Sequence, residues 1–188
     1  MDGGPWTVDG GMFVSVFGGS QPRPGDPMYQ QAYALGRGLA LQGHTVLTGG
    51  YIGTMEAISR GAAEAGGHVI GVTCAEIERW RPVGPNPWVK EEWRCETLLE
   101  RLQRIILGSQ ASIALPGGPG TLTEIALTWN LMVIQSIPPR PLILIGPGWK
   151  AIFERMFNDL GAYTPPSQRN LLRFAPDEHA ALTMLANL

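Results

Sequence analysis

Three glycine-rich segments, Gly18-Gly19-Ser20, Gly49-Gly50 and Gly117-Gly118-Pro119-Gly120, each stand directly behind a short apolar run. That recurrence narrows the possible folds more than any other feature of the chain. Residues 12–17, 45–48 and 111–115 have the length and apolar content of buried strands, and residues 68–73 and 141–145 read the same way, the latter as a final central strand. Helical spacing fills the intervals. Asp26-Pro27 is an N-cap followed by a first-turn proline, Tyr29, Ala32, Tyr33, Leu35, Gly36, Leu39 and Ala40 share one helical face, and Gly43 stops that helix. Further helices are predicted over 55–65, 97–107, 122–134, 149–160 and 177–186.

Short strands alternating with helices through brief turns pack as a parallel sheet covered on both faces, because right-handed crossovers leave few alternatives. The expected class is therefore a doubly wound, Rossmann-like α/β fold. In such sheets ligands bind beyond the carboxyl ends of the strands, where strand order reverses, so the three glycine segments should meet at one edge. Residues 75–94, rich in Pro and Trp without a clean period, predict a long connection serving as a lid or a dimer-facing loop.

A chain of 188 residues suits one domain, assigned to residues 12–188 behind a loose tail at 1–11. Fourteen Lys and Arg against sixteen Asp and Glu give no electrostatic footprint for nucleic acid or an anionic membrane, while a small anionic ligand needs only a local site. Cys74 and Cys95 show no paired spacing, which suits a reducing compartment. The start of the chain lacks a basic region followed by an apolar core, and no apolar stretch approaches the roughly 20 residues that span a bilayer. A soluble, cytoplasmic protein is expected. His44, His68 and His179 have no ligand spacing, so no metal or cofactor is expected.

The segment Pro116-Gly117-Gly118-Pro119-Gly120-Thr121 carries the chemistry. Its glycines permit a tight turn and close ligand approach, and the helix behind it offers free N–H groups and partial positive charge. Such an element cradles an anion. It lacks the Lys-Ser/Thr of a Walker A loop and the third glycine of Gly-x-Gly-x-x-Gly. The same glycines also suit an empty tight turn. Glu124 follows three residues after Thr121, and Thr121-Leu-Thr-Glu124 equally matches a helix capping box. Arg101 could hold a phosphate if its helix lines the same edge, or could simply be solvated, as could Arg104. Trp80, Trp88 and Trp93 are candidates for stacking on a base or for packing.

With these residues in place, the sequence resembles the LOG family of cytokinin riboside 5'-monophosphate phosphoribohydrolases, often mislabelled lysine decarboxylases. The family pattern Pro-Gly-Gly-x-Gly-Thr-x-x-Glu is matched from Pro116 to Glu124, with agreement upstream at Phe17-Gly-Gly-Ser20, at Gly49-Gly50 with Gly53 and Met55, and over 66–72. The resemblance implies a catalytic pair, Arg101 and Glu124. It also implies a ligand site formed by Gly19, Ser20, Gly49, Gly50, Met55, Pro116, Gly117, Gly118, Gly120 and Thr121. The implied reaction is hydrolysis of a nucleoside 5'-monophosphate to free base and ribose 5-phosphate by a homodimer. A non-catalytic nucleotide or molybdenum-cofactor carrier of the same superfamily is the alternative. Where the family has a lysine after the arginine, a glutamate before the motif glutamate and a glycine after the methionine, this chain has Leu102, Thr123 and Glu56. No pyridoxal phosphate lysine is evident for a decarboxylase.

Overall fold

The computed structural model describes residues 11–187; the expected tail falls, over residues 1–10, outside the described residues. The strands are β1 (Phe13–Phe17), β2 (Thr45–Thr48), β3 (Val69–Cys74), β4 (Glu91–Cys95), β5 (Ala111–Ala114), β6 (Leu142–Ile145) and β7 (Arg173–Ala175). They form one sheet in the order β4-β3-β2-β1-β5-β6-β7, with every neighbouring pair parallel. The helices are α1 (Pro27–Leu41), α2 (Thr54–Glu64), α3 (Ala75–Trp80), α4 (Leu98–Leu107), α5 (Pro119–Val133), α6 (Pro147–Asp159), α7 (Pro166–Arg169) and α8 (Glu178–Ala186). The expected doubly wound α/β sheet is what the chain adopts.

Side-chain alternation along the strands sends two apolar sets to opposite faces. Val14, Val16, Val46, Val69, Ile113 and Ile143 pack against Leu35 and Leu39 of α1, Ile58 and Ala62 of α2 and Leu185 of α8. Phe13, Phe17, Leu47, Ile70, Val72 and Leu144 pack against Ile105 and Ile106 of α4, Ile125 and Trp129 of α5 and Phe153 of α6. Each such side chain, once buried, contributes about 1.5–3 kcal/mol of hydrophobic stabilisation. Helices α1 and α2 touch backbone to backbone. A Cβ on Gly36 would stand 2.2 Å from the Ile58 carbonyl oxygen, and one on Gly61 would stand 2.1 Å from that of Tyr33.

Strand order reverses between β1 and β5, so the crevice forms between their carboxyl ends, where Gly18-Gly19 and Pro116-Gly117 emerge. The β2 loop opens beside it, so Gly50 and Gly118 lie at the same end of the sheet. Several expectations are corrected. Residues 75–94 are not a bare loop: they contain α3 and begin β4, whose outward glutamates and inward Trp93 and Cys95 make an edge strand that looks polar in sequence. Strand β6 is the last central strand, and a further edge strand not expected from sequence, β7, pairs with it through Ile143–Arg173, Leu144–Phe174 and Ile145–Ala175. Helix α5 begins at Pro119, three residues earlier than expected.

Candidate functional site

A cavity of about 410 Å³ opens at the strand-order reversal. Its walls come from the β1 end (Phe17 to Gln21), the β2 loop (Gly49 and Tyr51), α2 (Met55), α3 with the residue after it (Ile77, Trp80, Arg81), α4 (Arg101) and the start of α5 (Gly118 to Thr121, and Glu124). Of the expected residues, Gly19, Ser20, Gly49, Met55, Arg101, Gly118, Gly120, Thr121 and Glu124 line it. Gly50, Pro116 and Gly117 do not; they hold the walls from behind. The Gly19 N–H donates to the Pro116 carbonyl at 3.2 Å, which ties the β1 loop to the β5 loop. A Cβ on Gly117 would meet the Thr121 hydroxyl at 2.2 Å, and Gly50 has φ +79°, a left-handed conformation that suits glycine. On the far side of that loop, the Trp149 indole N–H donates to the Leu115 carbonyl at 3.0 Å.

Two glycines differ from these. At Gly118 and Gly120 an added Cβ would meet nothing within 4 Å, although both line the cavity. Packing within the protein does not demand glycine there, and without a Cβ the backbone at both positions is open to the cavity. Gly118 is the N-cap of α5 and has no side chain to close the helix end, so the first turn, which lines the cavity from Gly118 to Thr121, has no side-chain cap. The capping-box alternative for Thr121 and Glu124 therefore fails: both already lie inside α5. The Thr128 hydroxyl donates to the Glu124 carbonyl at 2.7 Å, an ordinary bond between helical turns.

The Glu124 side chain is 7% exposed, and among the described residues none donates a hydrogen bond to its carboxylate. Burial penalises the charged form and pushes its pKa up to about 7, against the pull of the Arg101 guanidinium. Arg101 is equally buried, and its Nε–H donates to the Val72 carbonyl at 2.7 Å while Nη2 donates to the Gly49 carbonyl at 3.3 Å. Those bonds anchor it to the ends of β3 and β2. The guanidinium lies 5.7 Å from the centroid of the Tyr51 ring, and a Cβ on Gly49 would come within 2.0 Å of Nη2, so the arginine needs a glycine beneath it.

Tyr51 escapes sequence reasoning because nothing local marks it. Its hydroxyl accepts from the Cys74 N–H at 2.7 Å, and burial raises its pKa to about 12. Asn86, 7% exposed, supports the same loop: its Nδ2 donates to the Gly50 and Tyr51 carbonyls at 3.0 and 2.9 Å. The three tryptophans part ways. Trp93 is buried in the core, Trp88 carries the Arg60 guanidinium at 5.5 Å, and Trp80 is 80% exposed at the cavity mouth. Arg104 lies over Trp93, outside this cavity, at 5.2 Å. The departures from the family pattern are accommodated: Leu102 is buried, the Thr123 hydroxyl donates to the Pro119 carbonyl, and Glu56 accepts from the Tyr29 hydroxyl at 2.9 Å. Among the described residues no group of His, Cys, Asp and Glu could hold a metal ion, and no helix is long and apolar enough to cross a membrane.

The chain is 31% identical over 170 residues to a protein of Oryza sativa subsp. japonica named "Probable cytokinin riboside 5'-monophosphate phosphoribohydrolase LOGL9", covering 87% of this chain and 73% of that one. It is 30% identical over 147 residues to the pyrimidine/purine nucleotide 5'-monophosphate nucleosidase of Escherichia coli (strain K12), covering 72% of this chain and 32% of the relative. Among solved structures, the molybdenum cofactor binding protein of the phototrophic bacterium Rippkaea orientalis superposes with a TM-score of 0.74 at 26% identity, covering 94% of this chain and 96% of that one. The resemblance carried by residues 116–124 is thereby borne out. A family model matches residues 11–135 as well, and on that match the chain belongs to the SLOG cluster4 family.

Proposed function

We propose that this protein hydrolyses the N-glycosidic bond of nucleoside 5'-monophosphates, releasing the free base and ribose 5-phosphate. The observation that carries the reading is Glu124: a buried carboxylate without a hydrogen-bond donor, facing a cavity whose adjoining wall is an uncapped helix start. A helix start alone suits any anion. A carboxylate beside it suits a ligand that carries a phosphate at one end and develops positive charge nearby.

In the proposed reaction the C1'–N bond breaks and its electron pair leaves with the base, which takes up a proton. Water adds to C1' and loses a proton. The intervening ribosyl centre has oxocarbenium character, and ionised Glu124 stabilises it in a site where water screens little. The amides at the start of α5 hold the phosphate, and that binding fixes C1' beside the carboxylate. Arg101 has Nη1 free of hydrogen bonds among the described residues, available to the ribose or the departing base. The kinship with a nucleotide nucleosidase and with a named phosphoribohydrolase supports this chemistry. Exposed Leu99 and Leu107 on α4 support a homodimer built on that helix.

The test is incubation of the purified protein with a panel of nucleoside monophosphates, followed by chromatography for free base and ribose 5-phosphate. Release from at least one monophosphate, with little from the matching nucleoside, is expected. A second reading, a carrier that binds without turnover, is favoured by the near full-length likeness to a molybdenum cofactor binding protein. Intact ligand recovered after prolonged incubation across the whole panel would select it.

A further inference from the structure

Two arginines line the cavity, and they are committed differently. Arg101 has two of its nitrogens bonded to backbone carbonyls. Among the described residues the Arg81 side chain has a single long hydrogen bond, from Nη1 to the Ser20 hydroxyl at 3.3 Å, and its Nε is buried without a hydrogen-bond partner. Arg81 has no carboxylate partner among the described residues, in contrast to Arg60, Arg94 and Arg155, which pair with Glu64, Glu78 and Asp159. Its guanidinium lies 5.7 Å from the centroid of the Trp80 ring.

The backbone that carries Arg81 is nevertheless fixed. Its own N–H donates to the Ile77 carbonyl at 2.8 Å, Glu78 is bridged to Arg94 of β4 at 2.7 Å, and Glu76 accepts from the Leu98 N–H at 2.7 Å. A firmly held segment thus presents a charged fork with unused donors at the mouth of an anion cradle. An unsatisfied buried donor is costly, and a planar fork matches two oxygens of a phosphate. The cradle supplies only partial charges from the α5 amides, and ionised Glu124 repels an entering dianion. A full positive charge offsets this, and of the two lining arginines Arg81 has more donors to spare, since Arg101 has two of its three nitrogens bonded to carbonyls.

We propose that Arg81, with the Ser20 hydroxyl, binds the outer oxygens of the ligand's phosphate from the side opposite the α5 amides, and so selects phosphorylated ligands over their unphosphorylated counterparts. The inference rests on the phosphate-binding part of the reading above and not on turnover. It assigns α3 and the turn after it, expected from sequence to be part of a lid or a dimer-facing loop, a charge-matching role.

Calorimetric titration of the full chain with AMP and with adenosine tests it, using the unmodified protein, Arg81→Ala and Arg81→Lys. Arg81→Ala should weaken AMP binding by about 10- to 100-fold while adenosine binding changes by less than about twofold. Arg81→Lys keeps the charge without the fork and should fall between. Unchanged AMP affinity in Arg81→Ala, or equal losses for AMP and adenosine, overturns the proposal, and unchanged thermal melting of the variants confirms that they fold. If the unmodified protein binds AMP in an Arg81-dependent way yet releases no base, hydrolysis falls and the role of Arg81 stands. If it binds no AMP at all, both fall.

Discussion

The chain contains the pattern Thr-Leu-x-Glu twice, at residues 97–100 and at 121–124, and the two copies have different fates. At the first, Thr97 is the N-cap of α4: its hydroxyl accepts from the Glu100 N–H at 3.2 Å, and the Glu100 carboxylate accepts from the Thr97 N–H at 3.2 Å. That helix end is closed by its own side chains. At the second, Pro119 starts the helix early, so Thr121 and Glu124 are carried inside it and the end at Gly118 stays open. Four similar residues make a lock in one place and a cavity wall in the other. What separates them is register against the helix start, which in α5 is set by a proline at the first helical position.

The comparison breaks most visibly in activity. Glu124→Gln should lower kcat by about 10²- to 10³-fold while AMP still binds, since the lost charge acts mainly in the transition state. Glu100→Gln should leave kcat almost unchanged. Steady-state kinetics on both variants decides it, and equal activity for Glu124→Gln and the unmodified protein would end the catalytic reading.

Stability against pH sharpens the comparison next. Glu124 has a pKa of about 7 in the folded protein against an ordinary value of 4.5. The stabilisation associated with its proton is therefore fully present below about pH 4.5 and is lost as pH rises through 7. Relative to Glu124→Gln, which cannot ionise, the unmodified protein should lose up to about 3 kcal/mol between pH 4.5 and pH 8. Denaturant melts at both pH values measure this; a flat difference would mean that Glu124 stays ionised throughout. In turnover the sign is opposite: activity should climb as pH rises through about 7, because the ionised form does the work.

The smallest effect lies at the closed end. Thr97→Ala should cost about 1 kcal/mol by removing the cap of α4, with turnover unaffected. Gly118→Ala, whose Cβ meets nothing in the protein, should cost less stability than that and yet weaken AMP binding. Urea melts paired with titrations separate the two. A large stability loss in Gly118→Ala would show that packing, not a ligand, demands that glycine.

How much was legible in the sequence follows from the same reasoning. Five of the seven strands lie in stretches readable from apolar runs, but β4 hides behind Glu91, Glu92 and Arg94, which are exposed at a sheet edge. Strand β7 has only three residues, one of them a charged arginine, too few for a period of two to show. The start of α5 lies ahead of the apolar period that marks the helix in sequence, because Gly118 and Pro119 supply the N-cap and first helical residue without adding to that period. The convergence of Arg101 and Glu124 on one cavity is tertiary: their helices flank β5, and no local spacing relates them. Tyr51 and Arg81 reach the cavity, and Asn86 braces the Tyr51 loop, from three separate loops or turns, each defined only once β2, β3 and β1 lie side by side.

The anchoring of Arg101 has one more consequence. A free arginine loses about 2 kcal/mol of rotamer freedom when it is immobilised, and in this chain that ordering takes place during folding, on the carbonyls of Val72 and Gly49. A ligand arriving at the cavity therefore finds one cation already still and, at Arg81, another yet to be stilled. The entropy of association should accordingly be carried by the mouth of the cavity and hardly at all by its floor.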